Sequence, residues 1–211
     1  FNGKDFLRPF FYTLEIKGVG TVGKWVETNG FEEVFQKIRK GLSDSDYRGN
    51  ISMEGFWDGE FFRVIDPCCR LPFPNSAVFP KFIKNYDKVI EAVCKGEKVS
   101  IEVDNLYYAQ ASVLTDMIDT WRPIRFPSEL LRNVGFRRVV RKDGEYYYVP
   151  GDSVVATAIG QGDVWQEASK KCYEVETSIV CSNTYSGGKE FVGAVNDVIK
   201  KLDKLQGNFV F

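Results

Sequence analysis

Two carboxylates, Glu54 and Asp66, stand twelve positions apart with Asp58-Gly59 near the middle, a dipeptide that favours the tight turn of a β-hairpin. The stretch reads Met53-Glu54-Gly55-Phe56-Trp57-Asp58-Gly59-Glu60-Phe61-Phe62-Arg63-Val64-Ile65-Asp66-Pro67-Cys68-Cys69-Arg70. Placement on either side of the turn is expected to bring the two acids opposite one another, and the even separation permits a common face. Like charges facing across a sheet destabilise it unless a cation lies between them. Two carboxylates among apolar neighbours, with Arg70 four residues on, suit a hard Mg²⁺ ion that bridges nucleotide phosphates. An ordinary hairpin with both acids in solvent has the same spacing, so spacing alone leaves both readings open.

A second pattern is Gly18-x-Gly20-x-x-Gly23, the spacing of dinucleotide and kinase phosphate loops. A dinucleotide loop must open directly into a helix that receives the phosphate. Here Lys24-Trp25-Val26-Glu27 continues as extended chain, so that reading fails. A kinase requires a catalytic-loop histidine, and the chain has none. What remains is a tight turn between strands or a phosphate-contacting loop of another kind.

The absence of histidine also removes Ser-His-Asp and Cys-His catalysis and histidine-ligated metals. Acid–base and metal chemistry must run on carboxylates, lysines, arginines and tyrosines. The five cysteines, Cys68, Cys69, Cys94, Cys172 and Cys181, are odd in number and lack C-x-x-C spacing, which predicts reduced thiols in a cytoplasmic protein. The net charge of −1 argues against a protein held on nucleic acid by bulk electrostatics. Arg122, Arg125, Arg132, Arg137, Arg138 and Arg141 with Tyr146, Tyr147 and Tyr148 therefore read as a solvated strand face. No apolar run is long enough for a membrane helix. The start, Phe1-Asn2-Gly3-Lys4-Asp5, lacks an initiator Met and suggests a piece of a longer chain.

The elements that must position these groups follow from periodicity. Pro9–Ile16 alternates as a strand, and Phe31–Leu42 carries a helical apolar face. Strands over Asn50–Trp57 and Glu60–Ile65 form the hairpin, and Pro67–Pro74 reads as loop. Val78–Val93 reads as one helix closed by Gly96. Beyond it come strands at Val99–Val103 and Leu106–Leu114, a short helix at Pro127–Asn133, and a hairpin of Phe136–Arg141 with Tyr146–Val149. Val154–Ile159 is a further strand. Asp163 is placed to cap a helix running to about Val180, and Lys189–Leu205 to form the last helix. The composition shift near Gly96 predicts two parts, 1–98 and 99–211.

The hairpin resembles the metal-binding hairpin of the ATP-grasp enzymes, most clearly of the biotin carboxylases and phosphoribosylamine–glycine ligases. Their pattern is a hydrophobic-Glu, a short turn, a hydrophobic strand, and acidic-x-Asn-x-Arg. The resemblance implies that Glu54 and Asp66 are Mg²⁺ ligands. Cys68 falls at the family's Asn in that metal set, and Arg70 on the arginine that contacts phosphate. Leu14-Glu15-Ile16-Lys17 before the glycines is similar to the Asp-x-Lys segment of the glycine ligases. It implies that Lys17 assists at the phosphates, with Gly20 and Gly23 in the cofactor-binding loop. Val154–Ala168 is similar to the small C-terminal domain of those enzymes, a strand, a glycine turn and a Glu-Ala helix.

On that resemblance the expected fold is α+β. Residues 1–98 form the C-lobe of an ATP-grasp fold, an antiparallel sheet with helices, and 99–211 a small β-rich accessory domain with C-terminal helices. The expected activity is ATP- and Mg²⁺-dependent ligation of a small-molecule carboxylate to an amine. The adenine-binding N-terminal lobe would lie outside this chain as its partner. The sequence departs from the family at Cys68 and at Asp66, one methylene shorter than the usual Glu. The competing expectation is a non-catalytic structural or interaction domain that keeps the fold.

Overall fold

The computed structural model describes residues 1–16, 20–27, 32–57, 62–73, 75–187 and 193–197. The chain divides into two compact units, one of Phe1–Tyr12 with Trp25–Asp104 and one of Thr13–Lys24 with Asn105–Phe211. The sequence division at 98 differs in two respects. The segment 99–104 stays with the first unit, and 13–24 joins the second because Gly20 to Lys24 pair with Ala111 to Tyr107. Strand pairing between residues distant in sequence overrides the local composition shift.

The first unit holds α1 (Glu32–Asp44), the ribbon of β3 (Ser52–Trp57) and β4 (Phe62–Cys68), and two helices, α2 (Phe79–Phe82) and α3 (Tyr86–Lys95). Its interior is aromatic. Phe6 meets Phe1 at 4.9 Å and Phe35 at 5.0 Å between ring centroids, and Trp25 meets Phe11 at 4.7 Å and Phe79 at 5.7 Å. Val78 and Phe82 are fully buried. The single helix expected over 78–93 is broken at Ile83, which is extended and bridges Val103. Asn85 explains the break. Its buried amide donates to Ser100 O at 2.8 Å and accepts from Glu102 N at 3.0 Å, so it secures a neighbouring segment instead of continuing the helix. The expected strand at 99–103 is reduced to that bridge. Gly96 ends α3 in the left-handed conformation, φ 76°, and its N–H closes the last turn.

A sheet of order β1-β2-β5-β10-β7 supplies the second unit with β5, β7 and β10, residues 13–16 of β1 and residues 20–24 of β2. Its strands are β1 (Phe10–Ile16), β2 (Gly20–Val26), β5 (Tyr107–Leu114), β7 (Val134–Gly135) and β10 (Val154–Gly162). The pairs β2–β5, β5–β10 and β10–β7 are antiparallel. Small residues on one face, Ala109, Ala111 and Ala158, are fully buried against α4 (Trp165–Ser178). That helix turns Ala168, Cys172 and Val175 inward at i, i+4 and i+7. Gly160 lets the helix approach: a Cβ there would lie 2.0 Å from Ala168 O and 2.2 Å from Cys172 N. Asp163 does not cap α4. The cap position is Val164, and the Asp163 carboxylate accepts from Asn105 while its N–H donates to Glu167 Oε2 at 3.1 Å.

A second, three-stranded sheet has the order β6-β9-β8, with β6 (Arg122–Ile124), β8 (Val139–Lys142) and β9 (Glu145–Tyr148). β8 and β9 join through Asp143-Gly144, both at positive φ, as the sequence leads one to expect of that dipeptide. Ser128–Asn133 forms a 3₁₀ turn. Of the expected last helix, residues 193–197 are helical and the remainder lies outside the described residues. No helix among the described residues is long and apolar enough to cross a membrane.

Candidate metal and phosphate site

Ser52 to Trp57 and Phe62 to Cys68 pair antiparallel, and within that ladder Glu54 and Asp66 are direct Cα partners. Partners directly opposite in an antiparallel pair project to the same face. Both side chains are exposed. A bulge follows at once: Glu54 pairs Asp66 but Gly55 pairs Val64, which leaves Ile65 as the extra residue on β4. The turn Asp58-Gly59 lies outside the described residues.

Cys68 pairs with Ser52 at the end of the ladder, and its thiol donates to Asp66 Oδ2 at 3.1 Å. The hydrogen bond to Asp66, reinforced by desolvation and the charges of Asp66 and Glu54, pushes the Cys68 thiol up. In this arrangement the Cys68 thiol is a hydrogen-bond donor to Asp66, and a soft sulfur is a poorer partner for Mg²⁺ than an oxygen. Among the described residues no three His, Cys, Asp or Glu side chains gather into a metal cluster. Two carboxylates remain, a donor set that fits Mg²⁺, which commonly takes one or two protein carboxylates and fills its shell with water and phosphate oxygens.

Arg70 follows just beyond β4 and is exposed. Its backbone is held from the preceding segment. Asn50 Nδ2 donates to Arg70 O at 2.6 Å, and Tyr47 OH donates to Asn50 O at 2.6 Å. Burial and the nearby Cys69 push the Tyr47 hydroxyl up, which keeps it a donor. The Arg70 guanidinium gives only a 3.3 Å contact to the adjacent Leu71 O, and it forms no ion pair among the described residues. Sequence reasoning missed Tyr47 and Asn50, since their role depends on a segment twenty residues away.

The glycine pattern falls elsewhere. Gly20 and Gly23 are strand residues of β2, paired with Ala111 and Tyr108, and belong to the second unit. With β1 on one side of β2 and β5 on the other, its amides face neighbouring strands and do not gather as a phosphate cradle. The loop expected over 18–23 is thereby corrected for Gly20 and Gly23. Lys17 and Gly18 lie outside the described residues. The assembled candidate site consists of Glu54, Asp66 and Cys68 on the ribbon, with Arg70 at its exit.

No protein-family model and no curated protein matches the sequence. Solved structures do match in fold. A phosphoribosylamine–glycine ligase from Thermotoga maritima is similar at TM-score 0.60 and 20% identity, over 87% of this chain and 52% of the ligase. The biotin carboxylase domain of the Hydrogenobacter thermophilus 2-oxoglutarate carboxylase, in complex with MgADP, ADP and bicarbonate, is similar at TM-score 0.55 and 14% identity. There the match covers 89% of this chain and 44% of that one. The biotin carboxylase subunit of a pyruvate carboxylase is similar at TM-score 0.54 and 16% identity, over 82% and 41%. The chain spans about half the length of these proteins, and what it shares with them is an ATP-grasp fold.

Proposed function

We propose that this chain is the magnesium- and phosphate-handling part of an ATP-dependent carboxylate–amine ligase. The observation that carries the reading is the direct opposition of Glu54 and Asp66 on one face of the ribbon, in a chain of ATP-grasp fold. Two exposed like charges kept opposite are unfavourable without a counter-charge. Glu54 and Asp66 would hold Mg²⁺, whose chemistry there is neutralisation of phosphate charge.

The reaction has two displacements. An oxygen of the substrate carboxylate attacks the γ-phosphorus of ATP, and ADP leaves with the bond electrons. The amine then attacks the acyl carbon, phosphate leaves, and the amine loses its proton. In such steps a protein contributes alignment and charge stabilisation more than covalent chemistry. Arg70 has a guanidinium with no carboxylate partner among the described residues, so its planar fork is available to the equatorial oxygens of the transferred phosphoryl. Lys17 would assist at the phosphates. The adenine would be bound by an N-terminal lobe beyond this chain, and small-molecule carboxylate and amine would be the substrates.

A second reading, a non-catalytic domain that keeps the fold, is favoured by one observation: Cys68 occupies Asp66 with its thiol. Carboxylate-dependent ADP release by the full-length protein separates the two. The ligase reading expects release that falls by orders of magnitude in Glu54→Gln and Asp66→Asn. Release unchanged in both variants would overturn it. The same reading expects this chain alone to bind Mg·ATP weakly, because the adenine finds no apolar burial.

A further inference from the structure

The first unit carries a charged cleft of about 650 Å³ whose lining does not include Glu54 or Asp66. It is lined by the turn at residues 2–5, the C-terminal half of α1, the 46–48 turn, and the end of α3. The lining holds four cations, Lys4, Arg39, Arg48 and Lys95, against two carboxylates, Asp5 and Asp46. In a chain of net charge −1 this is a local surplus of positive charge.

The two arginines are held in place by backbone carbonyls. Arg39 Nε donates to Lys4 O at 2.8 Å, and Arg48 Nη1 donates to Cys94 O at 2.7 Å. The 2–5 turn is itself fixed by Asn2, 1% exposed, which donates to Glu97 O and accepts from the N–H groups of Lys4 and Asp5. Arg48 lies against Gly3 and Gly96. A Cβ at Gly3 would meet its Nε at 3.2 Å, and one at Gly96 would meet its guanidinium carbon at 3.4 Å. Both glycines have positive φ, so this side-chain-free floor is also the backbone conformation the sequence supports best there.

The acids do not cancel the surplus. Asp5 is shared between Arg39 at 2.6 Å and Lys98 at 3.1 Å, and Asp46 stands 3.5 Å from Arg48, a loose contact. Lys95 pairs with Glu91 one turn back, a surface contact of a kind that holds an amine only weakly. Lys4 has no ion pair among the described residues. Two anchored guanidinium groups, whose remaining N–H donors are not all used by these contacts, stand with two ammonium groups around one cleft, and a phosphate group takes guanidinium and point-charge donors together.

We propose that this cleft binds a small phosphorylated anion, at a site separate from Glu54 and Asp66. The test is calorimetric titration of the chain with pyrophosphate at low ionic strength, with EDTA present to silence the ribbon acids. Saturable binding is expected, weakening as salt is raised because exposed charge contacts are screened. Lys4→Ala with Lys95→Ala should weaken it at least tenfold while circular dichroism and the thermal midpoint stay unchanged, since both amines are removed without touching the Asn2 or arginine anchors. Arg39→Lys, which keeps the charge and loses the fork, should weaken it by a smaller factor. Glu54→Gln should leave it unchanged, which separates failure of this site from failure of the ligase reading. No saturable binding, or equal affinity in the double lysine variant, overturns the proposal.

Discussion

Glu54 and Asp66 stand directly opposite one another on the β3–β4 ribbon, and Asp66 also accepts the Cys68 thiol at 3.1 Å. Like charges placed directly opposite on a sheet are expected to destabilise it unless a cation lies between them. Glu54→Gln should raise the thermal midpoint slightly in EDTA, since opposed like charges cost roughly 0.2–1 kcal/mol. If Mg²⁺ binds the pair, it should raise the midpoint of the parent chain, and the variant should lose that rise. Thermal melts with and without Mg²⁺ read both effects; a Glu54→Gln protein that still gains stability from Mg²⁺ would remove Glu54 from the metal site.

Arg70 gives the clearest separation of catalysis from stability. Among the described residues its guanidinium hydrogen-bonds only Leu71 O, so Arg70→Ala should cost little stability, within about 0.5 kcal/mol for an exposed site of this kind. In the full-length protein the same change should lower turnover by orders of magnitude with a smaller change in ATP affinity, as expected of a group that acts in the transition state. Arg70→Lys should recover part of the loss, keeping the charge without the fork. Specific activity unchanged in Arg70→Ala would withdraw the assignment.

The thiols should divide by exposure. Cys69 and Cys94 are exposed and should react readily with a disulfide reagent, whereas Cys172 is fully buried and should react only on unfolding. Burial, with the nearby Glu176 charge, pushes the Cys172 thiol well up. A thiol whose value is raised by folding contributes full stability below its unfolded value, about 8.5, and that stability falls as pH climbs above it. Stability measured from pH 7 to 10 should therefore decline on the alkaline side, and Cys172→Ala should flatten the decline.

Gly160→Ala tests the packing of the second unit. The added methyl would sit 2.0 Å from a helix carbonyl and 2.2 Å from a helix amide, both backbone atoms that cannot swing aside. The helix must move off the sheet, at a cost of several kcal/mol at the upper end of overpacking effects. Far-UV circular dichroism and denaturant midpoint check it. Gly144→Ala, where an added methyl meets nothing within 4 Å, is the contrasting change, its cost confined to the positive φ.

Local chemistry made much of this molecule legible in its sequence. The strand at 10–16, the helix at 32–44 and the β8–β9 hairpin follow from periodicity and the Asp143-Gly144 dipeptide, because a two-residue turn dictates register within its own hairpin. The opposition of Glu54 and Asp66 also needs the bulge at Ile65, which shifts the ladder by one residue. The ATP-grasp fold was likewise legible in the pattern around that ribbon. Contacts between distant segments decided the rest. Asn85 broke a helix that its own periodicity supports, since its partners are Ser100 and Glu102. The glycines at 20 and 23 became strand residues because β5, more than eighty positions later, pairs with them. The hydrogen bond from the Cys68 thiol to Asp66 could not be read from residue type alone. Turns and periodic faces are settled within a few residues, whereas the fate of a polar side chain depends on which distant donor or acceptor the folded chain brings within about 3 Å of it.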